Sequence, residues 1–196
     1  MASEIELKYT PKEGFLKEKL FSDSEISGRF DEIKRISMET EYLDTADNKA
    51  KSLGITLRRR MENGESVLYA KSGKSTIGAL SIRGEWSVKS DDVKNAPKLL
   101  AEVGAPTEQL FGKELLVITK VAFTRYECKV EPKRGFSFSL SYDEGILGRD
   151  HKFSEIELEL LEGECEDLME FGESLARRLS LTPETRSKYA RALLYK

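Results

Sequence analysis

The chain has little with which to do thiolate, redox or imidazole chemistry. Among its 196 residues are two cysteines, Cys128 and Cys165, far apart and in no Cys-x-x-Cys pair, and one histidine, His151. This excludes a His-rich metal cluster and any mechanism that needs two imidazoles. It is consistent with a reducing, cytoplasmic setting and no disulfide framework. No apolar run is long enough to span a bilayer, and no basic-then-apolar leader opens the chain, so no membrane role is expected. Proline is scarce at 5 residues, glycine is dispersed, and no low-complexity tract occurs. Neither sign of charge dominates: 32 basic and 35 acidic residues leave a net charge of −3, which argues against a nucleic-acid partner. Charged residues are nonetheless 34% of the chain, so both signs are abundant enough to be sorted locally.

What is present is alternation. Residues 3–10 read as a strand with Glu4, Glu6 and Lys8 on one side and Ile5, Leu7 and Tyr9 on the other. Further extended segments are predicted over 38–45, 80–89, 115–132, 135–145 and 152–163. Residues 55–73 form a hairpin turning at Asn63-Gly64. The helical spacing of Ile26, Phe30, Ile33 and Ile36 predicts a helix over 24–37, weakened by Gly28. Residues 48–54 read as a turn or short helix, and 91–104 as a helix broken near Ala96 by the following proline. The end is helical over 165–181, then again from Thr182-Pro183 to Lys196. The absence of linkers and of strand–helix alternation predicts one mostly antiparallel domain over 1–196.

Taken one face at a time, the strands carry charge in rows. Arg58 and Arg60 share a face, whereas Arg59 falls on the Leu57 side, so the three arginines do not make a nucleic-acid patch. Lys71 aligns with Tyr69. Arg83, Glu85 and Ser87 oppose Ile82, Trp86 and Val88, with Trp86 expected in the core. Ser137, Ser139, Ser141 and Asp143 oppose Phe136, Phe138, Leu140 and Tyr142. Glu155, Glu157 and Glu159 oppose Ile156, Leu158 and Leu160. The apolar rows supply a face that helices can cover. The charged rows either meet solvent on an open sheet or line the inside of a closed one. In the second case the lumen must be wet and hold ions, because each unpaired buried charge costs several kcal/mol. Carboxylates suit a hard divalent cation, and arginines grip phosphate oxygens in a fork, so opposed rows would bind a metal–triphosphate complex.

The ordered set of motifs resembles the CYTH family, the triphosphate tunnel metalloenzymes. The residues that carry the resemblance are Glu4-x-Glu6-x-Lys8, Tyr42-Leu-Asp-Thr45, Arg58-x-Arg60 after Leu57, Lys71, Arg83-x-Glu85, Lys120, Asp143, Glu155-x-Glu157 and Ser187-Lys188-Tyr189. The resemblance implies an α+β fold: an eight-stranded closed antiparallel barrel with a charged lumen, flanked by helices. It implies Mg²⁺ or Mn²⁺ held by Glu4, Glu6, Glu85, Asp143, Glu155 and Glu157. It implies phosphate contacts from Lys8, Arg58, Arg60, Lys71, Arg83, Lys120 and Lys188, with catalysis centred on Glu4, Glu6 and Lys8. The substrate would be inorganic triphosphate, or a nucleoside or thiamine triphosphate. A tunnel-type adenylate cyclase and a non-catalytic polyphosphate or nucleotide binder are the alternatives. Two departures stand out. Ala122 occupies the place of the arginine in the family's Lys-x-Arg, leaving Arg125 to serve only through a bulge or long reach, and Ser87 replaces a glutamate. His151 is expected at the surface.

Overall fold

The rows of alternating residues close into a barrel. The computed structural model describes residues 2–195. Eight long strands form it: β1 (Ala2–Thr10), β2 (Lys34–Asp44), β3 (Ile55–Glu62), β4 (Glu65–Ile77), β5 (Leu80–Lys89), β6 (Leu116–Lys133), β7 (Phe136–Leu147) and β8 (His151–Glu162). The order β5-β4-β3-β2-β6-β7-β8-β1 is closed by pairing of β1 with β5, and every pairing is antiparallel. A two-residue strand, β9 (Thr182–Pro183), lies beside Tyr9 and Thr10. Closure leaves the long strands without free edges. The Asn63-Gly64 hairpin forms as expected. Both residues have positive φ, 49° and 91°, the conformation a two-residue turn needs to match strand twist.

Two apolar layers cover the outside. Leu7, Tyr9, Phe138, Leu140, Ile156 and Leu158 meet Leu168 and Leu175 of α4 (Cys165–Leu179), with Leu20 of α1 (Lys17–Phe21) in the same layer. Around the barrel, Leu43, Leu57, Leu68 and Trp86 meet Ala50 of α2 (Lys49–Ser52) and Ala96 and Leu100 of α3 (Ala96–Glu102). A third cluster is internal. Met38, Tyr42, Val121, Phe123 and Leu147 pack around Ala192 of α5 (Lys188–Ala192), which stoppers one end of the barrel.

Three expectations are corrected. Residues 24–37 are not a helix: isolated turns end at Gly28, whose φ is +76°, and β2 takes over at Lys34. Ile26 is buried in the outer layer, whereas Ile36 pairs with Arg125 in the sheet and is half-buried, so their helical spacing reflects two separate environments. Pro97 does not break a helix but starts one, since α3 begins at Ala96 and the missing N–H is harmless in a first turn. The final helix does not start at Thr182-Pro183, which joins the sheet as β9. It starts at Lys188, where the Ser187 hydroxyl accepts a hydrogen bond from the Ala190 N–H at 3.1 Å. Lys196, the last residue of that expected helix, lies outside the described residues.

The barrel wall leaves no room for a side chain at Gly145. A Cβ there would lie 2.2 Å from the Ala122 carbonyl oxygen and 2.5 Å from the Phe123 Cα, both on the paired strand β6. Backbone cannot step aside as a side-chain tip can. Gly145→Ala is therefore expected to lower unfolding free energy in urea by about 1–3 kcal/mol. Unchanged stability would contradict this packing.

Candidate functional site

Strand parity turns the charged rows inward. The lumen encloses a cavity of about 250 Å³. That is more than ten times the ~10–15 Å³ that holds one water. Its lining is overwhelmingly polar and includes Glu4, Glu6, Lys8, Arg58, Arg60, Lys71, Arg83, Glu85, Arg125, Glu157, Glu159 and Lys188.

The charges form two networks. In the first, Glu4 accepts from Lys71 Nζ at 2.7 and 2.8 Å and from Arg83 Nε at 2.8 Å. Arg83 also reaches Glu6 Oε1 at 2.5 Å, and Lys8 Nζ lies 3.2 Å from the same oxygen. Lys71 pairs in addition with Glu85. Burial alone would raise the Glu4 carboxyl, but the Lys71 and Arg83 charges outweigh it and hold Glu4 well below the usual carboxylate range. Burial pushes Lys71 down, as do the neighbouring Arg58 and Arg83.

In the second network Asp143, Glu155 and Glu157 converge, with ligand oxygens all within 4.8 Å of one another. Lys188 Nζ sits among them, 2.8 Å from Asp143 Oδ2 and 2.9 Å from Glu157 Oε1, and pairs with Glu155 as well. Arg125 forks onto Asp143 with two bonds of 2.8 Å and also holds Glu157. Arg191 of α5 takes the other oxygen of Glu155. Burial pushes the Glu155 carboxyl up to about 7 in spite of these partners. Burial also works to raise Glu157, but Lys188 and Arg125 hold it well below the usual range.

Between the networks stands a wall of incompletely matched positive charge. Arg58 is buried, stacks over Tyr69 at 4.5 Å, and reaches Glu85 only at 3.6 Å, and its Nε has no hydrogen-bond partner among the described residues. Arg60 bonds the Thr40 hydroxyl at 3.2 Å and lies 3.8 Å from Glu62. Burial, then Arg58 and Arg125, press the Arg60 guanidinium below its ordinary value. Its cost is that of a buried cation short of anions.

Lys120 is a correction. Its side chain is 66% exposed on the outer wall, 2.8 Å from Glu41, which also holds Arg59. Ala122 is exposed on that same outer row, so no lumenal arginine is missing there. Arg125 needs neither bulge nor long reach, because it shares the inward row with Val121 and Phe123. The reason lies in α5: the inward row of β6 is apolar where it meets this helix, so it does not read as lumenal. Ser87 is exposed. Tyr42 and Tyr189 stack at 4.8 Å on the cavity wall, and His151 stacks on Tyr195 at the surface. Sequence reasoning missed Arg191, although its spacing of three from Lys188 sets both on one helix face, and Glu62, which continues the parity of Arg58 and Arg60.

A closed antiparallel barrel with a charged, helix-stoppered tunnel defines the class. The CYTH domain model matches residues 2–193, and the chain belongs to that family. It is 27% identical over 166 residues to an inorganic triphosphatase of Haemophilus influenzae. That match covers 83% of this chain and 47% of the relative, so the chain spans about half the length of that curated protein. Among solved structures, a proposed adenylyl cyclase from Hippeastrum with a dominant triphosphatase activity shares the fold. Its TM-score is 0.66 at 22% identity, over 95% of this chain and 93% of that one. A Pyrococcus horikoshii OT3 protein matches at TM-score 0.59 and 25% identity, over 97% and 98% of the two chains. The RNA triphosphatase domain of a mimivirus mRNA capping enzyme matches at 0.51 and 11%, over 91% and 89%. Among the described residues no helix is long and apolar enough to cross a membrane.

Glu159 links the tunnel to pH. Burial pushes its carboxyl up to about 7 from 4.5, and repulsion from Glu4 adds to this. The folded chain thus holds a proton that the unfolded chain has already lost. The stabilising contribution is fully present below about pH 4.5 and is lost as pH rises through about 7. Glu159→Gln is expected to raise the melting temperature at pH 8 and leave it nearly unchanged at pH 4.5. A shift of equal size at both pH values would contradict the assignment.

Proposed function

We propose that the chain hydrolyses a triphosphate in the presence of a divalent cation, with inorganic triphosphate as the preferred substrate. The observation that carries this reading is the pair Arg58 and Arg60, buried side by side and facing a polar cavity with fewer anions at bonding distance than they can hold. Phosphate oxygens complete such a pair in a forked geometry. Lys8, Lys71, Arg83, Arg125 and Lys188 extend the phosphate-binding set along the same lumen. The named inorganic triphosphatase relative supports the choice of substrate.

Asp143, Glu155 and Glu157 fit a hard divalent cation in their chemistry. They offer carboxylate oxygens at a mutual spacing within reach of one ion, and retained waters would fill the remaining positions. Glu4, Glu6 and Glu85 are the further candidate ligands from the facing strands. Mg²⁺ or Mn²⁺ bound there would neutralise phosphate charge and lower the pKa of a coordinated water. The chain's own part is to fix the triphosphate along the arginine wall and to stabilise charge on the transferred phosphoryl group through Arg58, Arg60 and Lys71. It also sets Glu4 and Glu6, with Lys8, beside the bond that breaks. Glu4 is ionised throughout the working range, since Lys71 and Arg83 hold it so. It can orient a water at neutral pH without first losing a proton.

Phosphate release from inorganic triphosphate, ATP and thiamine triphosphate, each with Mg²⁺, Mn²⁺ or EDTA, tests the reading. Metal-dependent release that is fastest on inorganic triphosphate is expected. Cyclic AMP as the product from ATP, or binding without turnover, would replace it with a cyclase or a sensor. Glu6→Gln is expected to remove at least about 100-fold of the metal-dependent turnover with the fold retained. Arg60→Ala is expected to raise KM by at least about tenfold, the loss of one charge-assisted contact. Unaltered kinetics in either variant would remove that residue from the site.

A further inference from the structure

The acidic trio Asp143, Glu155 and Glu157 is held from behind by a residue that does not line the tunnel. Arg191 is buried, and its guanidinium pairs with the Glu155 oxygen that Lys188 does not use. A second guanidinium nitrogen lies 3.8 Å from Glu184 Oε2. Glu184 is tied to the barrel in turn, its backbone N–H donating to the Lys8 carbonyl at 2.9 Å. The Phe153 ring lies under the guanidinium at 5.5 Å. Arg191 is thus fixed by a carboxylate on each side and a ring below. It is absent from the lining of the tunnel cavity and borders a separate outer groove instead.

Arg191 and Lys188 stand three residues apart on α5, so both project from one helix face toward Glu155. Their roles differ. Lys188 contacts all three carboxylates from the cavity side, where an entering cation would approach them. Of the three, Arg191 contacts only Glu155, from the protein side. From this division we infer that Arg191 is a positioning residue for the cation site: it anchors one oxygen of Glu155 so that the other points at Asp143 and Glu157. A carboxylate free to rotate would give up that convergence. An outer partner of a ligand commonly governs metal affinity by about 10–100-fold.

The inference rests on the cation reading proposed above, and its test needs no turnover. Mn²⁺ binding is followed by electron paramagnetic resonance in the absence of substrate, for the unaltered chain, Arg191→Gln, Arg191→Lys and Glu184→Gln. Triphosphate binding in EDTA is measured calorimetrically alongside, and thermal melting confirms that each variant is folded. Arg191→Gln is expected to weaken Mn²⁺ binding by about 10–100-fold while triphosphate binding in EDTA stays within about twofold. Arg191→Lys should recover part of the loss. Glu184→Gln, which keeps Arg191 but removes its second anchor, should weaken Mn²⁺ binding by a smaller factor. Equal Mn²⁺ affinity in all four chains would overturn the inference and leave the tunnel's phosphate chemistry untouched. A matching loss of triphosphate binding would overturn it too, since Arg191 would then serve the whole tunnel. Failure of the unaltered chain to bind Mn²⁺ would overturn the inference together with the cation reading.

Discussion

The rest of the structure depends on the cost of putting charge inside a closed barrel. Once β1 pairs with β5, every inward charge must find a counter-charge within the lumen, or the closed form is lost. Nearly all of them do. Glu4 lies between Lys71 and Arg83, and the trio Asp143, Glu155 and Glu157 is matched by Arg125, Lys188 and Arg191. Two exceptions stand out among the described residues: Glu159, whose carboxyl burial pushes up to about 7, and the wall formed by Arg58 and Arg60, where pairing distances lengthen to 3.6 and 3.8 Å and the Arg58 Nε–H has no partner. A wall of buried guanidinium groups short of anions favours an anion there.

The same constraint explains the positions of the helices. Where the outer faces of the strands are apolar, α4 and the pair α2 and α3 cover them, which reverses the usual small barrel with its apolar inside. Among the described residues, α5 is the helix that enters the barrel. It packs Ala192 against Val121, Phe123 and Leu147, and delivers Lys188 and Arg191 to buried carboxylates. The stopper is therefore also part of the charge balance. The helix that closes one end of the tunnel sets the electrostatics of the acidic trio.

The strands and their charged rows could be read from alternation, which left open whether the rows met solvent or lined a lumen; the closed barrel followed from the resemblance to the CYTH family. Glu4, Glu6 and Lys8, Arg58 and Arg60, and Glu155 and Glu157 keep the shared faces that their alternation assigned, and the closed barrel turns those faces inward. What could not be read depended on contacts distant in sequence. Lys120 was misplaced because both rows of β6 mix polar and apolar residues, and only the docking of α5 decides which row is inside. The segment 24–37 mimicked a helix because Ile26, buried in the outer layer, and Ile36, half-buried in β2, pack in different places for different reasons. Arg191 carried no strand parity to betray it, and its role emerges only when α5 is laid against Glu155. The start of α5 was misjudged because Thr182-Pro183 is a plausible helix opening by local rules, but a neighbouring strand claims it.

The central claim is that the arginine wall seats a triphosphate inside the barrel, and diffraction from crystals grown with a non-hydrolysable imidotriphosphate and Mn²⁺ tests it most directly. The account predicts phosphate density within hydrogen-bonding distance of Arg58 and Arg60, with the cation against carboxylates of the lumen. An empty tunnel at saturating ligand, or density confined to the outer surface around Lys120, would contradict it.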